Sequence, residues 1–507
     1  MALHILKLPG LNRKQFSPRV FINLTLLLFL VITTAGCLPE AAAAPLIPAV
    51  PTLTKQPDSP LITPLPTRPL YTPGQLVDYI AQTGDTLPAL AARFNTTEKE
   101  IRAANPIIPS DATTMPPGMP MKMPIYYQPF WSSPYQILPD SLFVNGPAQV
   151  GFDTSAFINS QPGWLKNYSF FVGDKTERGG ELIDGIAGDY SISPRLLLAV
   201  IEYDCKALSD PTTPENVDAY FLGYANANDK GLYRQLLWLA GQLNNSYYSA
   251  RPGALTQWDL QDGRVERPDP WQNPASIAFQ YYFSQILPVP EYQTAISGEG
   301  LSKTYRQLFG DPWKNVQPHI PGSLVQPDLQ FPFPTGHTWA FTGGPHTGWG
   351  DGEPFAAVDF APPSVAGGCE PSNDWAVAVA DGVIVRTGDA IAVLDLDGDG
   401  HEQTGWTIFY LHLQNGSIVP VGTRLKAGDP IGHPSCEGGR ATGTHVHIAR
   451  KYNGEWMQAS GVMAFTLEGW VVQRGANAYD GKMVRNDRTI RACTCSDQST
   501  FTTSGGK

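Results

Sequence analysis

The histidines of this chain are concentrated in one stretch of the sequence. Six of the nine lie between positions 346 and 447, within residues 330–475, where short β-branched runs alternate with Gly, Asp and Pro as in an antiparallel β domain. His445 and His447 stand two residues apart in a candidate strand. Side chains at positions i and i+2 of a strand point to the same face. The pattern therefore predicts that one cavity receives both imidazoles.

Three further segments supply side chains of the same chemistry. They place His346 in a glycine-rich loop, Asp359 in an otherwise apolar strand and His412 in a second apolar strand. A carboxylate among apolar residues is costly unless it is paired or binds a metal. Imidazole and carboxylate groups are common ligands of Zn²⁺. The four segments together predict a metal site in the β domain.

In this order the four segments resemble the catalytic domain of the lysostaphin-like and beta-lytic zinc endopeptidases, which cut peptide bonds in bacterial cell walls. The resemblance covers residues 335–470. It implies one Zn²⁺ per chain with the ligands His346, Asp359 and His447, and two unligated catalytic histidines, His412 and His445. Such a ligand set leaves a fourth position for water, whose pKa falls towards about 7. Either His412 or His445 can then take the proton of that water and stabilise the oxyanion.

Two more segments look like structural parts of the same family. Residues 375–385 resemble its core strand, and residues 421–432 resemble the glycine-punctuated hairpin before the His-x-His strand. His433 is expected to be structural or to lie at the rim of the site. Three other histidines match no ligand position of the family: His319, His337 and His401.

The N-terminus has the pattern of an export signal. Residues 1–36 contain four bases and no acid, and the apolar run at 24–32 is too short for a spanning helix but long enough for a signal h-region. The small residues that follow end in Cys37, which resembles a bacterial lipobox, where the cysteine sulfur is diacylated. An ordinary cleaved signal and an uncleaved anchor are the alternatives. The pattern predicts a membrane-anchored lipoprotein of the cell envelope on the extracytoplasmic side.

A linker and a small module follow the signal. Residues 37–73 are assigned to the linker, because positions 38–73 hold ten prolines and almost no charge, as in an extended, semi-rigid spacer. Residues 74–127 have the pattern of strand, helix, helix, strand. Thr97 and Glu100 are predicted to form a capping box at the start of the second helix.

The module resembles the LysM family through Tyr79, Ala81 and the run Gly84-Asp85-Thr86-Leu87. LysM modules bind N-acetylglucosamine polymers such as peptidoglycan and chitin, in a groove between two loops. The resemblance implies a peptidoglycan-binding module whose glycan contacts are Gly84, Asp85, Thr86, Leu87, Asn105, Pro106 and Ile107.

Residues 135–325 are expected to form an α-helical middle domain. Helices are predicted at 181–189, at 194–208 with Ser193 as the N-cap, and at 232–243. The second of these looks loosely like the helix that presents the catalytic Glu of lysozyme-like lytic transglycosylases. The nearby acids here are Glu202 and Asp204, which do not match that position, and glycoside cleavage needs its acid at one place. A scaffold or glycan-contacting role is therefore predicted.

An acidic run in the β domain has the oxygen density of a Ca²⁺ loop. It contains Asp395, Asp397 and Asp399 but lacks the later ligand of an EF-hand. A hairpin turn with solvated acids explains the run nearly as well. Ca²⁺ is therefore an open alternative at these residues but is not predicted.

The chain holds six cysteines, and an exported protein tends to pair them. Lipidation of Cys37 would leave five. Cys369 and Cys436 flank the catalytic segments and are predicted to form a disulfide. The other three leave one odd thiol: Cys205, Cys493 and Cys495.

A formal net charge of −11 argues against nucleic acid as a partner, and 42% hydrophobic residues suffice for several packed cores. The predicted fold class is multi-domain: a LysM-like βααβ module, an α-helical middle domain, a C-terminal antiparallel β metalloendopeptidase domain, and a tail at 476–507. The predicted function is hydrolysis of peptide bonds in peptidoglycan, with the LysM module on the glycan and the lipid anchor in the membrane. One alternative is a non-enzymatic wall-binding protein or activator of another hydrolase. Another is a glycan-cleaving enzyme acting through Glu202 or Asp204.

Overall fold

The computed structural model of this chain describes residues 68–173, 175–314, 316–363, 367–495 and 497–506. The predicted signal at 1–36, the lipidation site Cys37 and most of the predicted linker lie outside the described residues. Among the residues that are described, no helix is both long and apolar enough to cross a membrane. By secondary structure the described chain consists of a small N-terminal module, a helical region and a β-rich C-terminal region.

The N-terminal module has the predicted order of strand, helix, helix, strand. Its elements are β1 Gln75–Ile80, α1 Leu87–Arg93, α2 Glu98–Ala104 and β2 Pro120–Ile125. The two strands pair antiparallel. Thr97 accepts a hydrogen bond from the Glu100 amide while the Glu100 carboxylate accepts from the Thr97 amide, which confirms the capping box. Leu90, Phe94 and Ile101 are fully buried in the core of the module.

The helical region is dominated by α-helices that pack around one apolar core. Its helices are α3 Thr154–Ser160, α4 Gly179–Tyr190, α5 Pro194–Cys205, α6 Leu232–Ala250, α7 Pro274–Ile286, α8 Val289–Ala295 and α9 Leu301–Phe309. Two small antiparallel hairpins complete it, β3 Ser169–Val172 with β4 Lys175–Arg178, and β5 Trp258–Asp259 with β6 Val265–Glu266. The predicted helical character of this region is thus confirmed.

Two helix ends differ from the sequence-based expectation. Ser193 caps α5 as predicted, its hydroxyl accepting from the Leu196 amide at 3.2 Å. The helix ends at Cys205 rather than at 208, because Lys206 adopts a left-handed conformation with φ of 52°. α6 continues beyond 243 to Ala250, because Tyr247 and Ala250 extend its buried face.

The C-terminal region is an antiparallel β structure, as predicted. Its strands are β7 Thr338–His346, β8 Ala357–Ala361, β9 Ala376–Val377, β10 Gly382–Gly388, β11 Ile391–Asp395, β12 Trp406–Leu411, β13 Arg424–Leu425, β14 Pro430–Gly432, β15 Val446–Tyr452, β16 Glu455–Trp456, β17 Thr466–Leu467, β18 Trp470–Arg474, β19 Gly481–Arg485, β20 Arg488–Arg491 and β21 Phe501–Thr503. The main sheet has the order β13-β10-β11-β12-β15-β8-β7-β21, with β16 paired to β15. A second sheet has the order β17-β18-β19-β20. Phe341, Phe360, Trp470 and Met483 share one buried cluster, so the second sheet packs against the first.

Two interpretations of this region are wrong. Residues 375–385 do not form one strand, because β9 pairs with β14 whereas β10 joins the main sheet. Asp381 holds the turn between them by accepting from the Ala427 amide at 2.9 Å. Residues 476–507 do not form a separate tail either. They contain β19, β20 and β21, and β21 extends the main sheet through the pairing of Thr502 with Trp339.

A buried ion cluster joins the helical region to the C-terminal region. Arg251, directly after α6, donates from Nε to Glu455 Oε1 at 2.8 Å and from Nη2 to Glu455 Oε2 at 2.6 Å. Tyr247 donates its hydroxyl to the same carboxylate, and His319 contacts it at 2.6 Å. Burial alone would raise the pKa of Glu455, but the charge of Arg251 and the hydrogen bond of His319 lower this pKa to about 2. Glu455 therefore remains ionised between the two regions.

We expect Glu455→Gln to lower the free energy of unfolding by about 3 kcal/mol, because the buried Arg251 loses its main partner and keeps Asp140, 3.2 Å from Nη1, as its remaining counter-charge among the described residues. The matched control is Glu299→Gln, which breaks an ion pair with Lys303 on the exposed surface and should change stability little. Urea unfolding of the two variants and the wild type checks this. Equal midpoints for all three proteins would contradict the prediction.

Candidate metal centre

Three neighbouring strands of the main sheet bring the predicted metal ligands together. His447 lies in β15 and pairs across the sheet with Asp359 of β8. Asp359 in turn pairs with Gly343 of β7, whose last residue is His346. His346 therefore ends a strand and does not lie in a loop, as the glycine-rich sequence suggested. Gly343 is required at its position, because a Cβ there would collide with the Asp359 carboxylate.

The three candidate ligand atoms form a small triangle. His346 Nε2 lies 3.0 Å from His447 Nδ1 and 3.2 Å from Asp359 Oδ1, and His447 Nδ1 lies 3.4 Å from Asp359 Oδ1. Ligand atoms around a tetrahedral Zn²⁺, at bonds of about 2.0–2.2 Å, are separated by about 3.3–3.6 Å. All three residues are at most 5% exposed. The triangle thus has the size of one face of such a coordination sphere.

Hydrogen bonds to backbone carbonyls determine which nitrogen of each imidazole is unprotonated. His346 Nδ1 lies 2.8 Å from the carbonyl oxygen of Gly344, and His447 Nε2 lies 3.2 Å from that of Gly348. A carbonyl oxygen can only accept, so these nitrogens carry the protons of the neutral rings. Asp359 Oδ1 is buried and no described residue donates to it. Three lone pairs therefore face one another, an arrangement that fits a cation.

The charges of the triangle also favour a bound cation. Burial alone would raise the pKa of Asp359, but His346 and His445 hold this pKa well below its usual range. Burial lowers the pKa of His346, yet the neighbouring carboxylate outweighs it and raises this pKa. Burial lowers the pKa of His447. The site therefore keeps an ionised carboxylate and attracts positive charge.

His412 and His445 line the same cavity without belonging to the triangle. His412 donates from Nδ1 to the Glu437 carbonyl and His445 from Nδ1 to the Gly443 carbonyl, each at 2.7 Å. Both rings thus leave Nε2 free, and their centroids are 4.5 Å apart. Burial and the neighbouring imidazoles lower the pKa of His412 to about 3. His412 lies one residue beyond β12, with a φ of 65°.

Tyr479 is a site residue that the sequence reasoning missed. It lines the cavity of about 610 Å³ that also holds the four histidines. Its ring stacks on His346, with centroids 4.1 Å apart and planes 18° apart. The Gly344 amide donates to the Tyr479 carbonyl at 2.8 Å, which fixes the loop to the end of β7. No motif surrounds Tyr479, so only the packing of the loop before β19 against β7 could have indicated it.

Known protein families and relatives match several parts of the chain. Residues 136–322 match the family described as LasA, N-terminal domain, and residues 79–124 match the LysM domain. Protease LasA of Pseudomonas aeruginosa is 26% identical over 364 residues, which cover 68% of this chain and 79% of that protein. The beta-lytic metalloendopeptidase of Lysobacter enzymogenes is 32% identical over 160 residues, which cover 30% of this chain and 83% of that protein. The chain belongs to the beta-lytic metalloendopeptidase family.

Membership defines the class of the protein: it is a metalloendopeptidase that also carries a LysM domain. The match to the LasA N-terminal domain falls on the helical region. A solved structure, the M23 metalloprotease pseudoalterin from the deep sea, is 24% identical, covers 33% of this chain and 96% of its own, and gives a TM-score of 0.29.

A disulfide borders the cavity of this metalloendopeptidase. Cys369 is joined to Cys436, the pair expected from the sequence. The Thr444 amide donates to the Gly368 carbonyl at 2.9 Å, next to the disulfide. Gly368 and Thr444 both line the cavity. The disulfide therefore ties together two loops of the cavity wall.

The remaining cysteines and histidines of the described chain are not members of the triangle. Cys493 is joined to Cys495, which leaves Cys205 as the free thiol among the described cysteines. His433 donates from Nδ1 to the Asp374 carbonyl at 2.7 Å and packs on Trp375. Three histidines that match no ligand position of the family also lie outside the triangle: His319, His337 and His401.

The acidic run of the metalloendopeptidase forms the turn between β11 and β12. Ligand atoms of Asp395, Asp397 and Asp399 lie within 4.8 Å of one another. Asp395 already accepts from the Asp397 amide at 3.2 Å and from the Gly400 amide at 3.0 Å. These bonds are those of a tight hairpin turn. The turn therefore accounts for the acids, and Ca²⁺ stays outside our predictions.

The implied glycan contacts differ in their exposure. Gly84, Asp85, Leu87 and Asn105 are buried, Thr86 is half-buried, and Pro106 and Ile107 are exposed.

In the helical region, Glu202 accepts from the amides of Leu208 and Ser209 at 2.7 and 3.2 Å. Its carboxylate thus holds the loop after α5. Burial raises the pKa of Asp204 to about 7, and the Tyr282 hydroxyl lies 3.3 Å from it.

Proposed function

We propose that this protein is a zinc metalloendopeptidase that hydrolyses peptide bonds of bacterial cell-wall peptidoglycan. The observation that carries the proposal is the buried triangle of lone pairs on His346, Asp359 and His447, whose edges suit tetrahedral Zn²⁺. The LysM match supports a wall polymer as the substrate. One Zn²⁺ held by the three residues would supply Lewis-acid chemistry, activating a water and polarising the scissile carbonyl.

The unligated histidines are proposed to move the protons of the reaction. Nε2 is free on both His412 and His445, so either ring can take a proton from the attacking water. The ring that has taken this proton can donate a hydrogen bond to the developing oxyanion before it passes the proton to the amide nitrogen that leaves. The low pKa of His412 makes its neutral ring an acceptor at neutral pH.

The domains are proposed to divide the work as their bounds suggest. The LysM module at 74–127 would bind the glycan strand and raise the local concentration of substrate peptide. The helical region at 135–325 would act as a scaffold, because Glu202 is committed to its own loop. The zinc domain at 330–475 would carry the chemistry, together with β21 at its sheet edge.

Digestion of purified peptidoglycan, analysed by mass spectrometry, tests the proposed reaction. We expect fragments with new peptide amino termini, and we expect a chelator to stop their formation. New reducing sugar ends would favour glycan cleavage through the helical region. Binding to the wall without any new product would favour the non-enzymatic alternative.

The protein is proposed to act at the cell envelope as a lipoprotein anchored through Cys37, after removal of residues 1–36. We expect Cys37→Ser to release the protein from the membrane fraction or to leave it unprocessed, because several acyl chains hold far more firmly than one. Membrane fractionation and the mass of the N-terminal peptide check this. A wild-type protein found wholly in the medium, without lipid on that peptide, would contradict the anchor.

A further inference from the structure

The chain itself covers part of each of the two loops that carry the glycan contacts implied by the LysM resemblance, at residues 83–84 and 114–116, while Pro106 and Ile107 stay exposed. We call residues 319–324 the clamp segment. The Ile320 amide donates to Thr83 Oγ1 at 2.8 Å, on the loop before α1. On the loop before β2, the Ser323 amide donates to the Thr114 carbonyl at 2.9 Å and the Leu324 amide donates to Thr114 Oγ1 at 3.1 Å. The clamp segment therefore bridges both loops.

The loops beneath the clamp segment are themselves adjacent. The Met115 amide donates to the Asp85 carbonyl at 2.8 Å, so the loop before β2 contacts the loop before α1. Thr114 Oγ1 also donates to the Pro321 carbonyl at 2.7 Å. Thr83 and Thr114 are thus already bonded to the clamp segment.

Little space remains between the clamp segment and the module. A Cβ on Gly84 would lie 2.9 Å from Arg251 Nη1 and 3.1 Å from Ile320 Cδ1. A Cβ on Gly322 would lie 2.7 Å from the Cα of Pro116. Ile320 is 2% exposed and Leu324 is 7% exposed. A sugar ring cannot enter between these surfaces while the clamp segment is in place.

The clamp segment is held at both of its ends, and its middle is exposed. Asn453 Nδ2 donates to the His319 carbonyl at 2.5 Å, and His319 contacts Glu455 at 2.6 Å. Beyond the clamp segment Val325 is 72% exposed. Pro321 and Ser323 are also exposed. At the other end, Leu324 is buried with Met457, and its carbonyl accepts from Thr113 Oγ1 at 2.7 Å, so release of the module requires these contacts to break as well.

We propose that the clamp segment and an N-acetylglucosamine polymer compete for the same LysM loops, so that glycan binds only when the clamp segment has moved away. This inference rests on the proposed glycan-binding role of the module. The apparent dissociation constant then equals the intrinsic one divided by the fraction of open molecules. A change that weakens the clamp segment raises that fraction and tightens glycan binding.

The test is titration of the full chain with the N-acetylglucosamine tetramer, comparing wild type with Gly322→Ala. The added methyl meets the backbone of Pro116, so we expect an apparent dissociation constant about tenfold lower than in the wild type. Thr114→Val, which removes two side-chain hydrogen bonds to the clamp segment, should act in the same direction. Gly185→Ala is the matched control, because a Cβ there meets no atom within 4 Å.

Hydrogen exchange of the peptide that spans 319–325 gives an independent readout. Saturating tetramer should accelerate exchange there in the wild type, because the clamp segment is displaced. Equal affinities in all variants with unchanged exchange would overturn the competition and leave the module's glycan-binding role intact. No binding by any variant, although Gly322→Ala accelerates exchange, would overturn the glycan-binding role and the competition together.

Discussion

Replacing His447 with alanine is expected to remove both the metal and the hydrolytic activity. The change deletes one corner of the triangle and leaves His346 and Asp359, which are too few to hold Zn²⁺ tightly. Metal content should fall from about one Zn²⁺ per chain to a small fraction of that. Peptide hydrolysis should fall at least about 10⁴-fold, because water activation by the metal is lost.

Metal analysis of the dialysed protein and turnover of a soluble peptide measure the two effects. His401→Ala is the matched control, since His401 is exposed and lies outside the triangle. It should retain both zinc and activity. Full zinc content in the His447→Ala protein would refute the assignment of this residue as a ligand, whatever its activity.

Replacing His412 with alanine is expected to separate metal binding from turnover. His412 lies outside the triangle, so zinc content should stay near that of the wild type. The loss of a proton-transferring imidazole should lower kcat by about 10²–10⁴-fold with little change in KM. His445→Ala should behave in the same way, because its Nε2 is also free in the cavity.

Zinc analysis and steady-state kinetics of both variants check this pair. Loss of zinc from His412→Ala would mean that this residue supports the ligand set. Full turnover in one of the two variants would assign the proton transfer to the other histidine alone. Circular dichroism should show an unchanged sheet in both, because each ring bonds to the backbone through a single Nδ1.

The triangle could be anticipated because strand geometry is local. Alternation from His445, which directly precedes β15, to His447 places both side chains towards one cavity, and a lone Asp in an apolar strand is costly without a partner. The order of β7, β8 and β15 in the sheet is a nonlocal property, which only the family resemblance supplied. Neither strand alternation nor the family resemblance indicated Tyr479. Its loop is held beside His346 by backbone hydrogen bonding at Gly344, which leaves no pattern of side chains in the sequence.

Buried ion pairs are the features that could not be predicted from the sequence. Glu402 closely follows the acidic run that ends at Asp399, yet it is buried against Lys451 and Arg386 at 3.1 and 2.9 Å. Glu455 and Arg251 are far apart in sequence, so no spacing rule links them. Such pairs depend on how whole regions dock. The covering of the LysM loops by the clamp segment is another product of docking.

The four histidines of the cavity share one structural feature, which bears on how the enzyme can change over time. Each ring is oriented by a backbone carbonyl, belonging to Gly344, Gly348, Glu437 or Gly443. A substitution of the carbonyl-bearing residue alters its side chain but keeps the oxygen, provided that the chain keeps its path. The tautomers of the four rings therefore do not depend on which side chains surround the site. Libraries that diversify the cavity wall at Thr342, Arg440, Thr442 or Thr494 can therefore seek new peptide preferences without rebuilding the candidate metal centre.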